Sequence, residues 1–471
     1  MKSVVLINPP LVSDPSDVTG TGIPYWPITL ATINTVLKYK YDVKVFDMFG
    51  SYPRDISKLY RNYVHGMNID CAYYACGEND TAVVFANFAI SHDVILKIIE
   101  ILKENKTERI IVVENSQHVA AYPLDLLADD LFKAGADCII CGDPDDVIVD
   151  AIEGRLDKIG RYQAVDMYMP DWDGFPIENY WALPWAHAPK TNDKYMPLTM
   201  SRGCPGVCKF CTNPYLNNSS WRAGSIMVVF DYIQKWYYRG VKEFHIEDLN
   251  PTVDKQRILD LCDMIIKNRM NLDLKIASGT KLETIDFEML TKMHEAGFSY
   301  ISFSPESGSR RVLKNMGKSF NKWHARTMTR FIHNSLNSDI ITQACFVLGY
   351  PKESGCDIEL TMRYIKELAD DGLDEVAIFN WVPIPGAVAA KGYNIDTNKI
   401  SFSSDWREYN ERLSKMRMEM VMVFVVRKLL KDPMWIFRFR KTKTYMTIKR
   451  IILTKFDVIR GFTSLPKTTT I

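Results

Sequence analysis

The chain has 471 residues, of which 47% are hydrophobic and 24% are charged, with 24 glycines and 22 prolines. This composition is typical of folded globular proteins and excludes a disordered, collagen-like or coiled-coil chain as a whole. At roughly 100 to 200 residues per domain, we expect two to four domains. The 10 cysteines are too few for a disulfide scaffold. Since residues 1–7 lead straight into a strand-like run without a signal peptide, we expect a cytoplasmic protein.

The charge is distributed unevenly. The net charge is +1, yet residues 421–471 hold 12 Lys and Arg against 2 Asp and Glu, which is +10 and leaves −9 for residues 1–420. The longest apolar run of this region, residues 420–426, is far shorter than the roughly 20 residues that cross a bilayer, so we expect no transmembrane helix.

Residues 1–155 alternate short β-branched runs with longer amphipathic stretches. The predicted strands are 4–8, 43–47, 71–75, 110–114 and 138–142. Runs with little polar alternation fit strands that are buried on both faces of a parallel sheet. The pattern therefore predicts a doubly wound, Rossmann-like α/β domain, whose ligand would lie beyond the carboxyl ends of the strands.

The rest of the chain divides into three further parts. Residues 156–195 are rich in proline and tryptophan and predict an ordered connector. Residues 196–390 alternate strands and helices again, which predicts a parallel sheet or a partial (β/α)6 barrel. The predicted strands there are 197–201, 242–247, 273–278, 299–304, 340–348 and 375–382. Residues 391–471 predict a small, mostly helical C-terminal region.

Three cysteines follow the first strand of the second block. Cys204, Cys208 and Cys211 have a C-x3-C-x2-C spacing, so their thiolates can grip one face of a metal centre. Structural zinc normally takes four ligands, whereas a four-iron cluster held by three cysteines keeps one iron open for another ligand. Zinc completed by a distant residue and three unrelated buried thiols are the alternatives.

This spacing resembles that of the radical S-adenosylmethionine (SAM) superfamily. The resemblance covers roughly residues 1–390 and includes Trp221, Arg222 and Ser225, although Gly224 replaces the second arginine of the corresponding segment in one large branch. It implies that the three cysteines bind a [4Fe-4S] cluster whose open iron chelates SAM.

The resemblance also implies SAM-binding residues after successive strands. Glu247 and Asp248 stand where family members place a carboxylate for the SAM ammonium group, and Leu249 departs from the family pattern, which leaves either carboxylate as the candidate. Ser278 belongs to a polar turn, Glu306 to a Glu-Ser-Gly-Ser motif, and Phe210 is expected near the adenine, with packing as its alternative role. The later turns 349–351 and 383–386 match as well.

The first domain resembles the cobalamin-binding domain of one branch. The matching residues are Asn8, Pro9, Pro10, residues 27–30, His118 and Gly142. Asn115 and Ser116 stand where the typical member has two glycines, and no Asp-x-His-x-x-Gly motif is present, so His118 is not expected to ligate cobalt. Since positions i and i+3 of a strand face opposite sides, Cys138 and Cys141 are expected to be core thiols, as are Cys71 and Cys76.

The resemblance implies a cobalamin-dependent radical SAM enzyme that cleaves SAM to a 5′-deoxyadenosyl radical and methylates an unactivated carbon. The alternatives are a cyclising or rearranging radical enzyme without methylation and a metal-stabilised binding protein. The expected partners are a small-molecule or lipid-like substrate and an electron donor such as flavodoxin or ferredoxin. The basic, aromatic tail is typical of contact with an anionic membrane or of a solvated helical cap, whereas nucleic acid is disfavoured.

Overall fold

The structure is a computed structural model that describes residues 1–15, 21–60, 62–117, 121–319, 321–336, 339–393 and 404–463, with side chains in the last range described from 413 to 456. Two compact units divide the chain. The first unit comprises residues 1–115, 124–187 and 445–471, and the second comprises residues 116–123 and 188–444.

The first unit contains nine strands and six helices among its described residues. The strands are β1 (Ser3–Asn8), β2 (Leu11–Ser13), β3 (Asp42–Asp47), β4 (Ile56–Leu59), β5 (Asn62–His65), β6 (Asp80–Ala86), β7 (Arg109–Glu114), β8 (Cys138–Gly142) and β9 (Ile159–Tyr162). The helices are α1 (Ile28–Leu37), α2 (Met48–Ser51), α3 (His92–Glu104), α4 (Ala128–Ala134), α5 (Ile148–Ile152) and α6 (Ile177–Ala182).

Six of these strands form one parallel sheet in the order β3-β1-β6-β7-β8-β9. The strands β2, β5 and β4 form a separate small antiparallel sheet in the order β2-β5-β4. The central strands β1, β7 and β8 are buried along their length except for the first residue of β1 and of β7, as their continuous apolar runs predict. The doubly wound, Rossmann-like arrangement is therefore confirmed, and its strand order reverses between β1 and β6, where such sheets bind ligands.

Some strand predictions in the first unit are wrong. Residues 69–74, which include most of the strand predicted at 71–75, form a 3-10 helix instead. The Asn68 side chain accepts a hydrogen bond from Asp70 N at its start, and Tyr73 and Tyr74 are exposed, so this segment lacks the two-sided burial of a central strand. Strands β6 and β9 were not predicted. Strand β9 and helix α6 both lie within the predicted connector.

The second unit contains eight strands and nine helices, and one further helix crosses the division at residue 444. The strands are β10 (Tyr195–Leu198), β11 (Arg202–Gly203), β12 (Trp221–Arg222), β13 (Glu243–Ile246), β14 (Asp273–Thr280), β15 (Phe298–Glu306), β16 (Ile341–Leu348) and β17 (Glu375–Asn380). The helices are α7 (Asn213–Leu216), α8 (Ile226–Tyr237), α9 (Lys255–Lys267), α10 (Phe287–Glu295), α11 (Arg310–Asn315), α12 (Lys322–Ser335), α13 (Gly355–Asp370), α14 (Ser404–Lys431), α15 (Trp435–Arg438) and α16 (Lys443–Thr463). These counts apply to the described residues.

The second sheet is parallel and follows chain order, β10-β13-β14-β15-β16-β17. Most of its helices begin at a side chain that caps the first turn. The capping residues of α8 to α13 are Ser225, Asp254, Asp286, Ser309, Asn321 and Ser354. Such caps satisfy backbone N–H groups at the helix start, so the sequence itself fixes where each helix begins. Among the described helices, none is long and apolar enough to span a membrane.

One face of the second sheet is unusually polar. The strand register places these residues on that face, which we call the polar face: Glu243, His245, Asp273, Lys275, Tyr300, Ser302, Gln343, Cys345 and Glu375. The buried Lys275 Nζ lies 2.9 Å from Glu243 Oε1 and also donates to the Pro189 carbonyl. Buried charges require such partners, so the polar face is held by a fixed network of ion pairs and hydrogen bonds.

Candidate functional site

The three motif cysteines lie on one loop between β11 and α7. Gly206 N donates to Cys204 Sγ at 3.4 Å, and Asn213 N donates to Cys211 Sγ at 3.4 Å. The loop is fixed at Lys209, whose backbone N–H donates to the Met316 carbonyl and whose carbonyl accepts from Ala389 N. Backbone donors aimed at sulfur stabilise thiolates, so the loop is arranged for negatively charged sulfur.

Burial controls the protonation of these thiols. It raises the pKa of Cys211 to about 12, against a lowering by the Asn213 N–H, and it raises the pKa of Cys208, against a lowering by Lys318 and Lys281. A thiol must lose its proton to bind a metal. The two lysines therefore supply the positive charge that favours a thiolate-bound, anionic centre.

The two candidate carboxylates after β13 have different surroundings. Asp248 Oδ1 accepts from Met200 N at 2.8 Å, and its Oδ2 accepts from the Ser201 hydroxyl. Asp248 is thus occupied in holding the chain before the cysteine loop. Glu247 directly follows β13 and continues the alternation that places Glu243 and His245 on the polar face. Burial raises its pKa to about 7, although His245 and Lys443 lower it.

Glu306 belongs to a buried ion pair that the sequence did not predict. Lys318 Nζ lies 2.9 Å from Glu306 Oε1, and both side chains are more than nine-tenths buried. Glu306 also has a φ of 63°, in the left-handed region, so its backbone is held in a strained conformation at the end of β15. Since Lys318 also interacts with Cys208, this pair joins the predicted SAM residues to the cysteine loop.

The remaining predicted SAM residues lie on neighbouring elements. Ser278 Oγ donates to the Glu247 carbonyl at 3.5 Å. Phe210 packs against an apolar cluster that includes Val312, Met316 and Trp381, and its place near the adenine stays a prediction.

Two polar residues that the sequence did not single out also support the cysteine loop. Gln117 Oε1 accepts from Gly203 N at 2.8 Å, one residue before Cys204, and Asn250 Nδ2 lies 3.8 Å from Cys204 Sγ. Gln117 belongs to residues 116–123, which group with the second unit. Contacts across such sequence separations leave no local signal.

The candidate cobalamin residues of the first unit are engaged within that unit. Asn8 Nδ2 donates to Asp47 Oδ1 at 2.7 Å, in a buried group completed by Tyr180. Pro9 follows at the end of β1. Gly142 has a φ of 80°, and a Cβ there would lie 2.1 Å from the Tyr162 carbonyl oxygen, so packing alone requires glycine. His118 lies outside the described residues.

Cys141 lies beside Glu114 and Asp125 at the same edge of the first sheet, but an arginine accounts for this cluster. Arg161 Nη1 lies 2.8 Å from Glu114 Oε2, and its Nη2 lies 2.9 Å from Asp125 Oδ1. Burial raises the pKa of the Cys141 thiol. Cys138, Cys141 and Cys76 are all buried and none forms a disulfide, as expected of core thiols, whereas Cys71 is partly exposed.

Comparisons with known proteins bear on this site. Residues 198–365 match the sequence model of the radical SAM superfamily. This part of the chain is a radical SAM domain, which implies SAM and a [4Fe-4S] cluster as cofactors.

The relatives and similar structures extend over more of the chain. An uncharacterized methyltransferase of Pyrococcus horikoshii is 23% identical over 91% of this chain and 94% of its own length. Cytidylyl-2-hydroxyethylphosphonate methyltransferase of Streptomyces wedmorensis is 27% identical over 50% of this chain and 43% of its own.

Two solved proteins share the fold. TsrM of Kitasatospora setae, a radical SAM methyltransferase solved with cobalamin and a [4Fe-4S] cluster, superposes with a TM-score of 0.61 at 13% identity, covering 83% of this chain and 77% of that one. The cobalamin-dependent radical SAM enzyme OxsB gives 0.54 at 15% identity, covering 87% and 56%.

Proposed function

We propose that this protein is a cobalamin-dependent radical SAM enzyme that methylates an unactivated carbon of a small-molecule or lipid-like substrate. The cysteine loop is the observation that carries the proposal. In it, Cys204, Cys208 and Cys211 hold the cluster, with backbone N–H groups and two lysines compensating its charge. The second sheet, over residues 196–390, then forms a partial barrel whose carboxyl-end loops surround SAM.

SAM is a zwitterion with a sugar, and the proposed residues match its groups. Glu247 takes the ammonium group, because Asp248 is already committed to Met200 and Ser201. Ser278 and Glu306 face the ribose and carboxylate, and Lys318 offers the carboxylate a cation. When bound, the reduced cluster supplies one electron that breaks the C5′–S bond of SAM to give methionine and a 5′-deoxyadenosyl radical. A ferredoxin or flavodoxin is the proposed electron donor.

The cobalamin part of the proposal rests on the first sheet and on the two solved relatives that bind it. Asn8 ends β1 and Pro9 follows it, beside the point where the strand order reverses, whereas Gly142 ends β8, two strands beyond β6. The proposed role of His118 rests on the sequence resemblance, since it lies outside the described residues. Because Asn8 and Gly142 already have partners inside the unit, we propose them as residues that line the site and do not ligate cobalt. A non-methylating radical reaction is the second candidate, favoured by this internal engagement.

Anaerobic reconstitution tests both candidates. The expected result is four irons and one cobalt per chain, with reductive formation of 5′-deoxyadenosine and transfer of labelled methyl groups from SAM. Four irons and 5′-deoxyadenosine without cobalt would support the non-methylating candidate. A protein that binds zinc alone and does not cleave SAM would refute the proposal.

A membrane-associated, lipid-like substrate is favoured by one surface of the second unit. Helix α14 carries a stripe of apolar side chains at four-residue spacing, each about half exposed or more: Met418, Met422, Val426 and Leu430. Met434 and Phe437 follow it, also exposed, and Lys431, Arg440 and Lys441 lie nearby in sequence with exposed side chains. An apolar stripe with neighbouring cations fits an anionic lipid surface, so we propose that the protein works at the inner face of the cytoplasmic membrane.

Flotation with vesicles tests this surface. Met422→Glu is expected to weaken binding of the full chain to vesicles that contain anionic lipid. Both the wild type and this variant are expected to bind neutral vesicles only weakly. Met227→Glu is the matched control, because Met227 is 53% exposed and Met422 is 52% exposed. Equal flotation of the two variants and the wild type would refute membrane contact through α14, and concentration-dependent dimerisation lost in Met422→Glu would assign the stripe to a second copy of the chain.

A further inference from the structure

The cysteine loop has an outer side that faces solvent. Val207 is 63% exposed, and Pro205 and Lys209 are exposed as well. Val207 is bonded directly to Cys208, so its Cα lies about 3.8 Å from the Cα of a proposed cluster ligand. A protein that touches Val207 therefore comes close to the proposed cluster from outside the barrel.

Two other segments meet this loop at Lys209. The Lys209 N–H donates to the Met316 carbonyl at 2.8 Å, and the Lys209 carbonyl accepts from Ala389 N at 2.8 Å. A Cβ on Gly317 would lie 3.2 Å from the Val207 carbonyl oxygen and 3.4 Å from Lys209 Cγ, so this glycine lies directly against the loop. The three segments that meet here form one surface, which we call the outer surface: residues 204–211, 309–318 and 383–393.

An apolar cluster holds the three segments together from beneath. Phe210 of the loop and Ala389 pack against buried side chains that include Val312, Met316 and Trp381. Close packing of this kind fixes the positions of the backbones that carry it. The outer surface is therefore preformed, which lowers the entropic cost of docking a partner.

The outer surface carries charge of one sign. Its three segments contain six Lys and Arg and no Asp or Glu. Two of these cations are neutralised by carboxylates of other segments: Lys318 and Arg311. The other four are exposed and form no ion pair within the described part of the chain: Lys209, Arg310, Lys314 and Lys391. Val207 and Val388, which is 47% exposed, add apolar area between them. Free cations around a small apolar area are complementary to an acidic protein surface.

We propose that the outer surface is the docking site of an acidic one-electron carrier protein that reduces the cluster. The inference rests on the proposed function, in which the three cysteines of the loop hold that cluster. The carrier loses one electron and is oxidised, the cluster gains this electron and is reduced, and no bond forms or breaks. Small, electrostatically guided contacts are typical of redox partners. The position of the surface on the cysteine loop favours an electron carrier over other acidic partners.

The test measures binding of the full-length, cluster-loaded protein to an acidic flavodoxin by anaerobic biolayer interferometry. The double variant Lys314→Glu with Lys391→Glu is expected to weaken binding about tenfold at low ionic strength, mostly through slower association. The loss is expected to shrink at high ionic strength, because salt screens exposed charges.

Lys267→Glu is the matched control. Lys267 and Lys314 are both exposed lysines in the last turn of a helix. Lys267 ends α9, which leads to the start of β14, so it lies at the opposite edge of the second sheet from the cysteine loop. This variant is expected to bind flavodoxin like the wild type.

Two reductants separate the inference from the proposed function. With excess dithionite, which is a small ion and needs no docking surface, the double variant is expected to form 5′-deoxyadenosine at the wild-type rate. With limiting reduced flavodoxin, its rate is expected to fall about tenfold. If the double variant matches Lys267→Glu in flavodoxin affinity and in the flavodoxin-driven rate, the inference is overturned and the proposed function stands. If the wild type cleaves SAM with neither reductant, the proposed function fails and the inference fails with it.

Further measurements separate other roles of the surface. Iron content and near-ultraviolet circular dichroism are compared in every variant, and Lys314→Gln with Lys391→Gln is a milder substitution that is expected to weaken flavodoxin binding by a smaller factor. Unchanged affinity in this neutral variant, with native iron content, would overturn the proposal. Loss of flotation with anionic vesicles, or of dimerisation, at unchanged flavodoxin affinity would assign the surface to lipid or to a second copy of the chain and would overturn it as well.

Discussion

The carboxyl edges of the two parallel sheets hold similar residue types in opposite conditions. At the edge of the first sheet, Glu114 is fully buried and accepts hydrogen bonds from Gly142 N, Leu124 N and Arg161. At the edge of the second sheet, Cys208 and Glu247 have pKa values raised mainly by burial. Burial raises the pKa of Glu114 and Cys141 at the first edge as well, so the two edges differ in their partners. Glu114 has an arginine and two backbone N–H donors, whereas the thiols of the second edge lie near backbone N–H donors and lysines.

This difference distinguishes structural from functional polar residues. A buried carboxylate with an arginine and two backbone N–H donors stabilises one conformation. Thiols beside lysines and backbone N–H donors are instead arranged to ionise when a metal centre binds. The second edge is therefore the stronger candidate for binding a charged cofactor. The first edge offers shape and packing, which fits a large, largely preformed ligand better than an ionic one.

The largest expected effect concerns the thiols at the two edges. Cys208→Ala is expected to abolish iron binding and SAM cleavage, because two thiolates cannot hold the cluster that three hold. Cys141→Ala is the control, since Cys141 is also a thiol at a sheet edge, although it is buried and Cys208 is partly exposed. It is expected to keep full iron content and SAM cleavage. Iron analysis and 5′-deoxyadenosine formation measure both, and equal iron loss in the two variants would contradict the comparison.

The next largest effect is on stability at the first edge. Arg161→Met leaves Glu114 buried without its cation, and removal of one partner of a buried pair costs about 3 to 5 kcal/mol of unfolding free energy. Urea unfolding measures the change. Arg155→Met is the control, because its ion pair with Asp150 is exposed and contributes less than about 1 kcal/mol. A near-neutral Arg161→Met variant would mean that Glu114 is not part of a stabilising network.

The sequence predicted the second sheet well because each of its strands is followed by a turn whose residues mark the end of that strand. The strands beginning at 273, 298, 341 and 375 were predicted within one residue at that end. Capping residues such as Ser354 follow them at helix starts. In the first unit, the segment at 71–75 was wrong because Cys71, Ala72 and Ala75 give an apolar run without β-sheet partners.

The site was predicted only where its residues are local in sequence. Cys204, Cys208 and Cys211 share one loop, and Glu247 and Asp248 directly follow a strand. Lys318 had no such signal, because its partner Glu306 lies on another element, 12 residues away in the chain. A lysine looks the same in sequence whether it is solvated or buried, so only the fold identifies Lys318.

The smallest effect is a difference in how the two edges respond to acid. His92 follows β6 in the first unit, and burial lowers its pKa to about 4, although Asp130 opposes this. Its neutral form is favoured on folding, so the stability it contributes is complete above its unfolded pKa of about 6.5 and is lost as the pH falls toward 4. Between pH 7 and 5, this loss is about 2 kcal/mol.

Glu353 follows β16 in the second unit, and its contribution to the unfolding free energy changes with pH in the opposite direction. Burial and the nearby Asp357 raise its pKa to about 7, although Gly349 N donates to it at 2.6 Å. The folded state then takes up a proton before the unfolded state does, so this group becomes more stabilising by about 2 kcal/mol as the pH falls from 7 to 5. Unfolding free energies of His92→Gln and Glu353→Gln at both pH values measure the two contributions. Relative to the wild type, His92→Gln is expected to tolerate acid better and Glu353→Gln worse. If the unfolding free energies of both variants shifted in the same direction relative to the wild type, the expected contrast would be contradicted. That result would mean that neighbouring charges, and not burial, set the pKa values of His92 and Glu353.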